Sequence, residues 1–450
     1  MTDLIEKVKC SITITLSNNT TITIALDETG EPTNYATGVE VTEETGTENN
    51  NPVGVVSSNL LKLAINTKDL SLIPQNKQSP YYGFMNNTAT VTVTVETVDG
   101  LITFETFYVN DWKSNISSSN PYGVIINCVD LMSLMNKNST PPAQLVKQQA
   151  TGTYLLNILT KLNENLPEKY HVETNITDGS FRDFYNIQYP IFSEDTMAVF
   201  LNTISQCTLT NFYLNRSNIL VADNLLDDSE AEAVATLSDS VNVFSASLDS
   251  QGMVNYSAVK VNYFLYTIND TSLLTSLDSQ TLEIGDNPFT IPLSNVFKVN
   301  YIKVITDGLD KVETTGFSYS KDSCNLILTS TEATTCTIEI YGQTLRENKM
   351  SLTVSRENSS NETLEVTNRL LPESSISTFA NKLLEIVDVR GQELTLEGFF
   401  NPALKLGDIV NVDCRKSINT SGRYKIIALK WKITSTIKCT CKLIKIQEEE

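Results

Sequence analysis

Alternating apolar and polar side chains dominate this chain. In "VKCSITITLSNNTTITIAL", residues 8–26, two alternating runs flank Ser17-Asn18-Asn19, the pattern of a β-hairpin. "ATVTVTVETVDGLITFETFYVNDWK" predicts a second hairpin around Asp99-Gly100, with β-branched residues suited to a pleated surface. Val39-Glu40-Val41 reads as a short strand and "NLLKLAI" as a longer one. "YGVIINCVDLMSLM" reads as a strand followed by a short helical piece. Many strands with almost no helix between them predict a small barrel or sandwich.

The period changes after Thr140-Pro141-Pro142. From Ala143 to Asn165 the pattern is helical, with Leu155, Leu156, Leu159 and Leu162 on one face and Gly152-Thr153 as an interruption. A second helix is expected from Ser193 as N-cap, carrying Met197, Phe200, Leu201 and Ile204. "NFYLNRSNILVA" then predicts a hairpin turning at Asn215-Arg216-Ser217, which completes a compact helix-and-hairpin unit. "LLDDSEAEAVATLSDS" reads as an acidic connector or surface helix.

Residues 240–360 return to short strands in "VNYSAVKVNYFLY", "QTLEIG", "YIKVITDG", "CNLILTS" and "CTIEIYG". A helix from Ser375 to Val387 puts Phe379, Leu383, Leu384 and Val387 on its face. Strands resume in "QELTLEGFF", "DIVNVDC", "GRYKIIALKWKI" and "IKCTCKLIKI". The early and late strand-rich blocks are expected to be two related barrels. The fold class is therefore mainly β with α/β insertions: several domains, made of small β-barrels and a compact helix-and-hairpin domain. The expected divisions are 1–138, β-barrel-like; 139–238, α/β; 239–360, β-rich; and 361–450, a helix plus a second barrel-like part.

Length supports this division, since 450 residues exceed one ordinary core. The formal net charge of −20 disfavours adhesion to nucleic acid backbones and anionic membranes. A hydrophobic content of 40% argues for folded domains rather than global disorder. "MTDLIEKVKCSITITL" carries charge in every turn, so no secretory segment is expected, and no run is apolar enough to span a bilayer. Eight dispersed cysteines with a single histidine point to buried reduced thiols rather than a zinc site.

Candidate chemistry is sparse. "FFNPALKLGDIVNV", residues 399–412, presents Asp408 beside Gly407, yet no second carboxylate, histidine or metal cluster accompanies it in sequence. A turn handing one strand to the next explains it: Pro402 ends a strand, Gly407 makes the corner, and Asp408 accepts turn amides. His171 leaves a helix in "LPEKYHVET", where a surface or packing role is the common one. "DNLLDDSEAE" lacks the loop order of a calcium hand and reads as a solvated face. Glu194 and Asp195 suit the positive end of a helix. Trp112 and Trp431 are expected in core packing rather than sugar stacking. No catalytic, cofactor-binding or metal-ligating residue, and no cofactor, is assigned.

The order of segments resembles a known family. "NPVGVVSSNLLKLAINTKDLSLIPQNKQSPYYGFMNNTATVTVTVE", residues 51–96, resembles the start of baseplate hub proteins of bacteriophage tails. "FYVNDWKSNISSSNPYGVIINCVDLMSLMNK", residues 107–137, the helix-then-hairpin unit at 193–222, and "NPALKLGDIVNVDC...GRYKIIALKWKI", residues 401–433, continue that order. The resemblance extends to trimeric hubs of contractile tails and the N-terminal part of tail-associated proteins in flexible ones.

It implies a non-enzymatic structural subunit with two hub barrels, 1–138 and 361–450, in a homotrimeric ring at the distal end of the virion tail. Implied partners are the tail tube protein, adjacent baseplate or distal tail proteins, a tip or spike and the tape measure protein. DNA would pass without specific binding. Since the sequence stops after "CKLIKIQEEE", lytic or penetrating activity is expected of a partner. Two other readings stand beside it: a receptor- or glycan-binding adhesin, and a β-scaffold glycoside hydrolase with two carboxylates about 5 to 9.5 Å apart.

Overall fold

The computed structural model describes residues 9–26, 34–45, 56–67, 69–114, 123–141, 146–190, 196–224, 231–249, 256–306, 311–356, 362–390 and 393–446. Among them the chain is mainly β, with four α-helices. The predicted hairpins form as read. Lys9–Thr15 pairs antiparallel with Thr21–Ala25, and Thr90–Thr97 with Gly100–Ser114. Val91, Val93 and Val95 point into the core while the intervening threonines do not, as a two-residue period requires.

Seven N-terminal strands lie side by side in the order Asn34–Glu44, Leu60–Thr67, Gly123–Val129, Gly100–Ser114, Thr90–Thr97, Lys9–Thr15 and Thr21–Ala25. Leu26, just past the last of them, bridges Ala36 in the first, so the run curls back on itself in barrel fashion. The C-terminal strands continue the same sheet, which has thirteen strands. Thr420–Ile433 makes this continuity because it is long. Along one edge its first half pairs with Ile409–Cys414 and its second half with Asn34–Glu44, while Ile437–Lys445 takes the other edge. The two strand-rich blocks thus share one hydrogen-bonded sheet and one apolar core.

Several local expectations change. Val39-Glu40-Val41 is the middle of an eleven-residue strand. The first long helix is Thr151–Glu164; Gln149–Ala150 before it is extended and pairs with Asn186–Ile187, and residues 142–145 lie outside the described residues. Gly152 does not interrupt this helix. It sits in the first turn, where a Cβ would stand 2.6 Å from the backbone of Thr177 and Asp178. The Asp178 carboxylate accepts the Thr153 N–H at 2.6 Å and so caps the helix from another segment.

The next helix, Met197–Thr208, is capped by Thr196; Ser193, Glu194 and Asp195 lie outside the described residues. The stretch beyond Asn224, read as an acidic connector or surface helix, is corrected at Ala235–Ser238, a strand parallel to Ile409–Cys414, while residues 225–230 are not described. The helix predicted over Ser375 to Val387 extends over Glu373–Arg390.

Between residues 256 and 356 the strands are longer than predicted. Thr334–Ser355 has 22 residues and serves three partner strands along its length. Its first half pairs with Ser272–Leu282 and Val296–Thr306, and its second half with Tyr256–Ile268. At about 3.3 Å per residue such a strand reaches roughly 70 Å. It connects the core around Leu326, Leu328 and Ile338 to the one where Phe379 and Leu383 of the last helix pack on Val259 and Val261.

Candidate functional site

The residues that tie the blocks together begin in the hairpin between Thr210–Leu214 and Ile219–Asn224. Its turn falls where the sequence predicts. Asn215 Oδ1 accepts the N–H groups of Ser217 and Ile219 at 2.9 and 3.1 Å, and Asn218 takes the left-handed conformation with φ 57°. The turn holds Arg216 against both strand-rich blocks. Its Nε and Nη2 donate to Glu43 Oε1 and Oε2 at 2.8 and 2.7 Å, a two-pronged pair with the side chains only 8% and 4% exposed.

Two further hydrogen bonds of Arg216 reach the C-terminal block. Nη1 donates to the Pro402 carbonyl at 2.5 Å and Nη2 to that of Leu404 at 2.9 Å. The guanidinium lies 4.4 Å from the centre of the Phe104 ring, and the Trp431 ring is 6.0 Å away. Trp431, fully buried, donates its indole N–H to Glu43 at 3.0 Å. A buried arginine is tolerable because charge, hydrogen bonds and aromatic faces all meet it at once.

A second buried cation repeats the theme. Lys425 donates to Asp223 Oδ1 at 2.7 Å and to the Asn224 carbonyl at 2.9 Å, joining the same hairpin to the strand Thr420–Ile433. On the other side, Asn59 links the early block to the hairpin: its Nδ2 donates to the Leu214 carbonyl and its Oδ1 accepts the Glu44 N–H. Asp130, completely buried, accepts the N–H groups of Asn59 and Ser133. Burial pushes its carboxyl up to about 7, against those two donors, which favour the anion.

The stretch around Asp408 is a turn in this arrangement. Gly407 has φ +83°, and its N–H donates to the Ile426 carbonyl. Asp408 Oδ2 accepts the Lys405 N–H at 2.8 Å. Burial raises the Asp408 pKa, while that N–H and the charges of Lys405 and Arg216 lower it. The carboxylate thus braces the loop whose carbonyls Arg216 grips.

The other weighed residues are scattered. His171 ends a short 3₁₀ turn, with Nε2 2.9 Å from the Leu166 carbonyl. Trp112 donates to the Leu72 carbonyl at 3.1 Å, and both tryptophans pack on the main core. All eight cysteines are buried and none is in a disulfide. Cys439 and Cys441 point to one face of their strand, as alternate positions must. Among the described residues no three His, Cys, Asp or Glu side chains converge as a metal site, and no helix is long and apolar enough to cross a membrane.

Arg216, Glu43 and Lys425 were not singled out from sequence. Two signals were available: an arginine at the tip of a tight Asn-flanked turn, and the three-residue spacing of Phe104 and Phe107 inside an otherwise alternating strand. The first gives no partner, since Glu43 lies 173 positions away.

No protein-family model and no curated protein matches the chain. Solved structures do. The tail protein from Neisseria meningitidis MC58 aligns with a TM-score of 0.54 at 10% identity, over 97% of this chain and 96% of that one. The 43 kDa tail protein of prophage MuSo2 from Shewanella oneidensis aligns with a TM-score of 0.53 at 10% identity, over 97% and 98%. The chain has, end to end, the fold of these tail proteins, which is the class of fold that the order of its sequence segments resembles.

Proposed function

We propose that this chain is a structural subunit of a phage tail baseplate hub or tail tip, forming a ring that joins the tail tube to the distal tip or spike and leaves a channel for DNA. The observation that carries this reading is the full-length likeness in fold to two tail proteins, with nearly all of each chain aligned. In it, residues 1–138 and 361–450 build the ring, and 139–238 and 239–360 decorate its outer or lower side. The subunit is a homotrimer in the virion, made in the host cytoplasm. Its contacts are the tube protein, neighbouring baseplate or distal tail proteins, the tip or spike and the tape measure protein. Its work is mechanical rather than catalytic, and it has no cofactor.

Two features support an assembly role. The Arg216 clasp fastens three sequence-distant segments together, as a ring subunit under mechanical stress needs. The net charge of −20 suits a channel wall along which DNA slides without adhering. Light scattering on the purified chain over a wide concentration range tests the reading. A closed trimer, or its doubled form, is expected. A chain that stays monomeric at high concentration and fails to bind tail tube protein overturns it.

A further inference from the structure

The strand Gly100–Ser114 turns an acid into the core. Its register with Thr90–Thr97 steps from Thr92↔Thr106 to Thr94↔Thr103, so Phe104 and Glu105 together oppose Val93. This bulge breaks the alternation and sends both side chains inward, each 1% exposed. Phe104 meets the Arg216 guanidinium. Glu105 meets no donor: neither carboxyl oxygen has a hydrogen-bond partner.

Charged groups face Glu105 from three elements. Asp130 comes from the N-cap of the helix Leu131–Met135, Glu43 from the strand Asn34–Glu44, and Arg216 from the hairpin turn. The Asn59 amide also favours the ionised form, from beyond hydrogen-bond geometry. Near Arg216 and Glu43 the other titratable groups are Cys439 and Asp408. Arg216 already gives its N–H groups to Glu43, Pro402 and Leu404. Asp130 has the two backbone donors that an anion requires, and Glu105 has none.

We propose that Glu105 sits in the core as the neutral acid and that its proton latches the arginine clasp. When the proton leaves, a third carboxylate competes with Glu43 for Arg216, and the grip on the Pro402 and Leu404 carbonyls loosens. The balance of influences agrees in direction. Burial, then Asp130, then Glu43 raise the Glu105 pKa well above its ordinary 4.5, with Asn59 and Arg216 opposing. The folded chain therefore holds this proton more tightly than the unfolded one. Its contribution to stability is greatest below 4.5 and falls as pH rises from there through the folded pKa.

Trp431 supplies the readout, because its indole N–H is bonded to the same Glu43 carboxylate that holds Arg216. In a Trp112→Phe background it is the one remaining tryptophan. Its emission, titrated from about pH 5 to pH 9, should shift with a midpoint above the ordinary glutamate range. Glu105→Gln, which mimics the neutral acid, should remove most of the shift, leaving only what the Asp130 carboxyl, itself pushed up to about 7, contributes. Asp130→Asn, which removes a neighbouring negative charge, should move the midpoint downward. An undiminished shift in Glu105→Gln overturns the proposal. If that variant does not fold, a midpoint unmoved by Asp130→Asn overturns it instead.

Discussion

Arg216 and Glu43 meet through two parallel hydrogen bonds of 2.8 and 2.7 Å in a space almost closed to solvent. The strand Asn34–Glu44 supplies the carboxylate and a hairpin turn supplies the guanidinium. Neither could sit there alone, since an unpaired buried charge costs far more than the pair returns.

Arg216→Met should therefore destabilise the chain by about 3–5 kcal/mol, mostly from stranding Glu43. Adding Glu43→Gln should recover a large part of that loss. Urea denaturation followed by circular dichroism would show it as a midpoint that drops in the single variant and rises again in the double one. Equal midpoints for Arg216→Met and the parent would contradict the role given to the clasp.

Gly152→Ala separates local from tertiary preference. Helix propensity alone favours alanine by about 1 kcal/mol. The added Cβ, however, would lie 2.6 Å from the backbone of Thr177 and Asp178. A net loss of about 1–3 kcal/mol is expected, the usual scale of overpacking. A higher melting temperature for this variant would mean that the helix and the 3₁₀ turn do not pack so closely.

The thiols should be silent in the folded chain. Burial pushes Cys10 up to about 12, pushes Cys207 and Cys324 up to about 11, and raises Cys128 and Cys441 as well. A thiol reagent at mildly alkaline pH should find almost no reactive group within minutes, and eight in denaturant. Rapid modification of one native cysteine would locate a region that opens.

Phe244 and Phe399 form a tilted pair 5.6 Å apart, 54% and 45% exposed, with Lys438 about equally distant from both rings. Phe244 lies in the strand Val243–Asp249, which is paired on only one side among the described residues, and Phe399 follows its partner strand Glu393–Gly398. Changing both to serine should leave monomer stability within about 0.5 kcal/mol. If the proposed ring forms through this edge, sedimentation should show the trimer weakened at least tenfold. An unchanged trimer would move the ring contact elsewhere.

What could be read from sequence was local. The Thr-Val alternation of 90–97 and the Asn-rich turns at 18–19 and 215–218 state their strands and corners directly. What could not be read was partnership. Ala235–Ser238 lies near the end of the acidic, connector-like stretch "LLDDSEAEAVATLSDS", and is a strand beside Ile409–Cys414. The start of the helix at Thr151 is decided by the Tyr185 carbonyl, which accepts the Thr151 N–H at 2.8 Å. Glu105 reads as an exposed alternate position until the bulge at Val93 reverses it. Such positions are set by tertiary contacts that override local propensity.

The bond between Trp431 and Glu43 spans 388 residues of sequence. At a synthesis rate of about 5–20 residues per second, the strand Asn34–Glu44 waits roughly 20–80 s for Thr420–Ile433 to be made. Through that interval its outer edge is a bare hydrogen-bonding template, and Glu43 has neither Trp431 nor, for the first part, Arg216. A nascent chain of this fold is therefore open to mispairing along the seam that Thr420–Ile433 will later close.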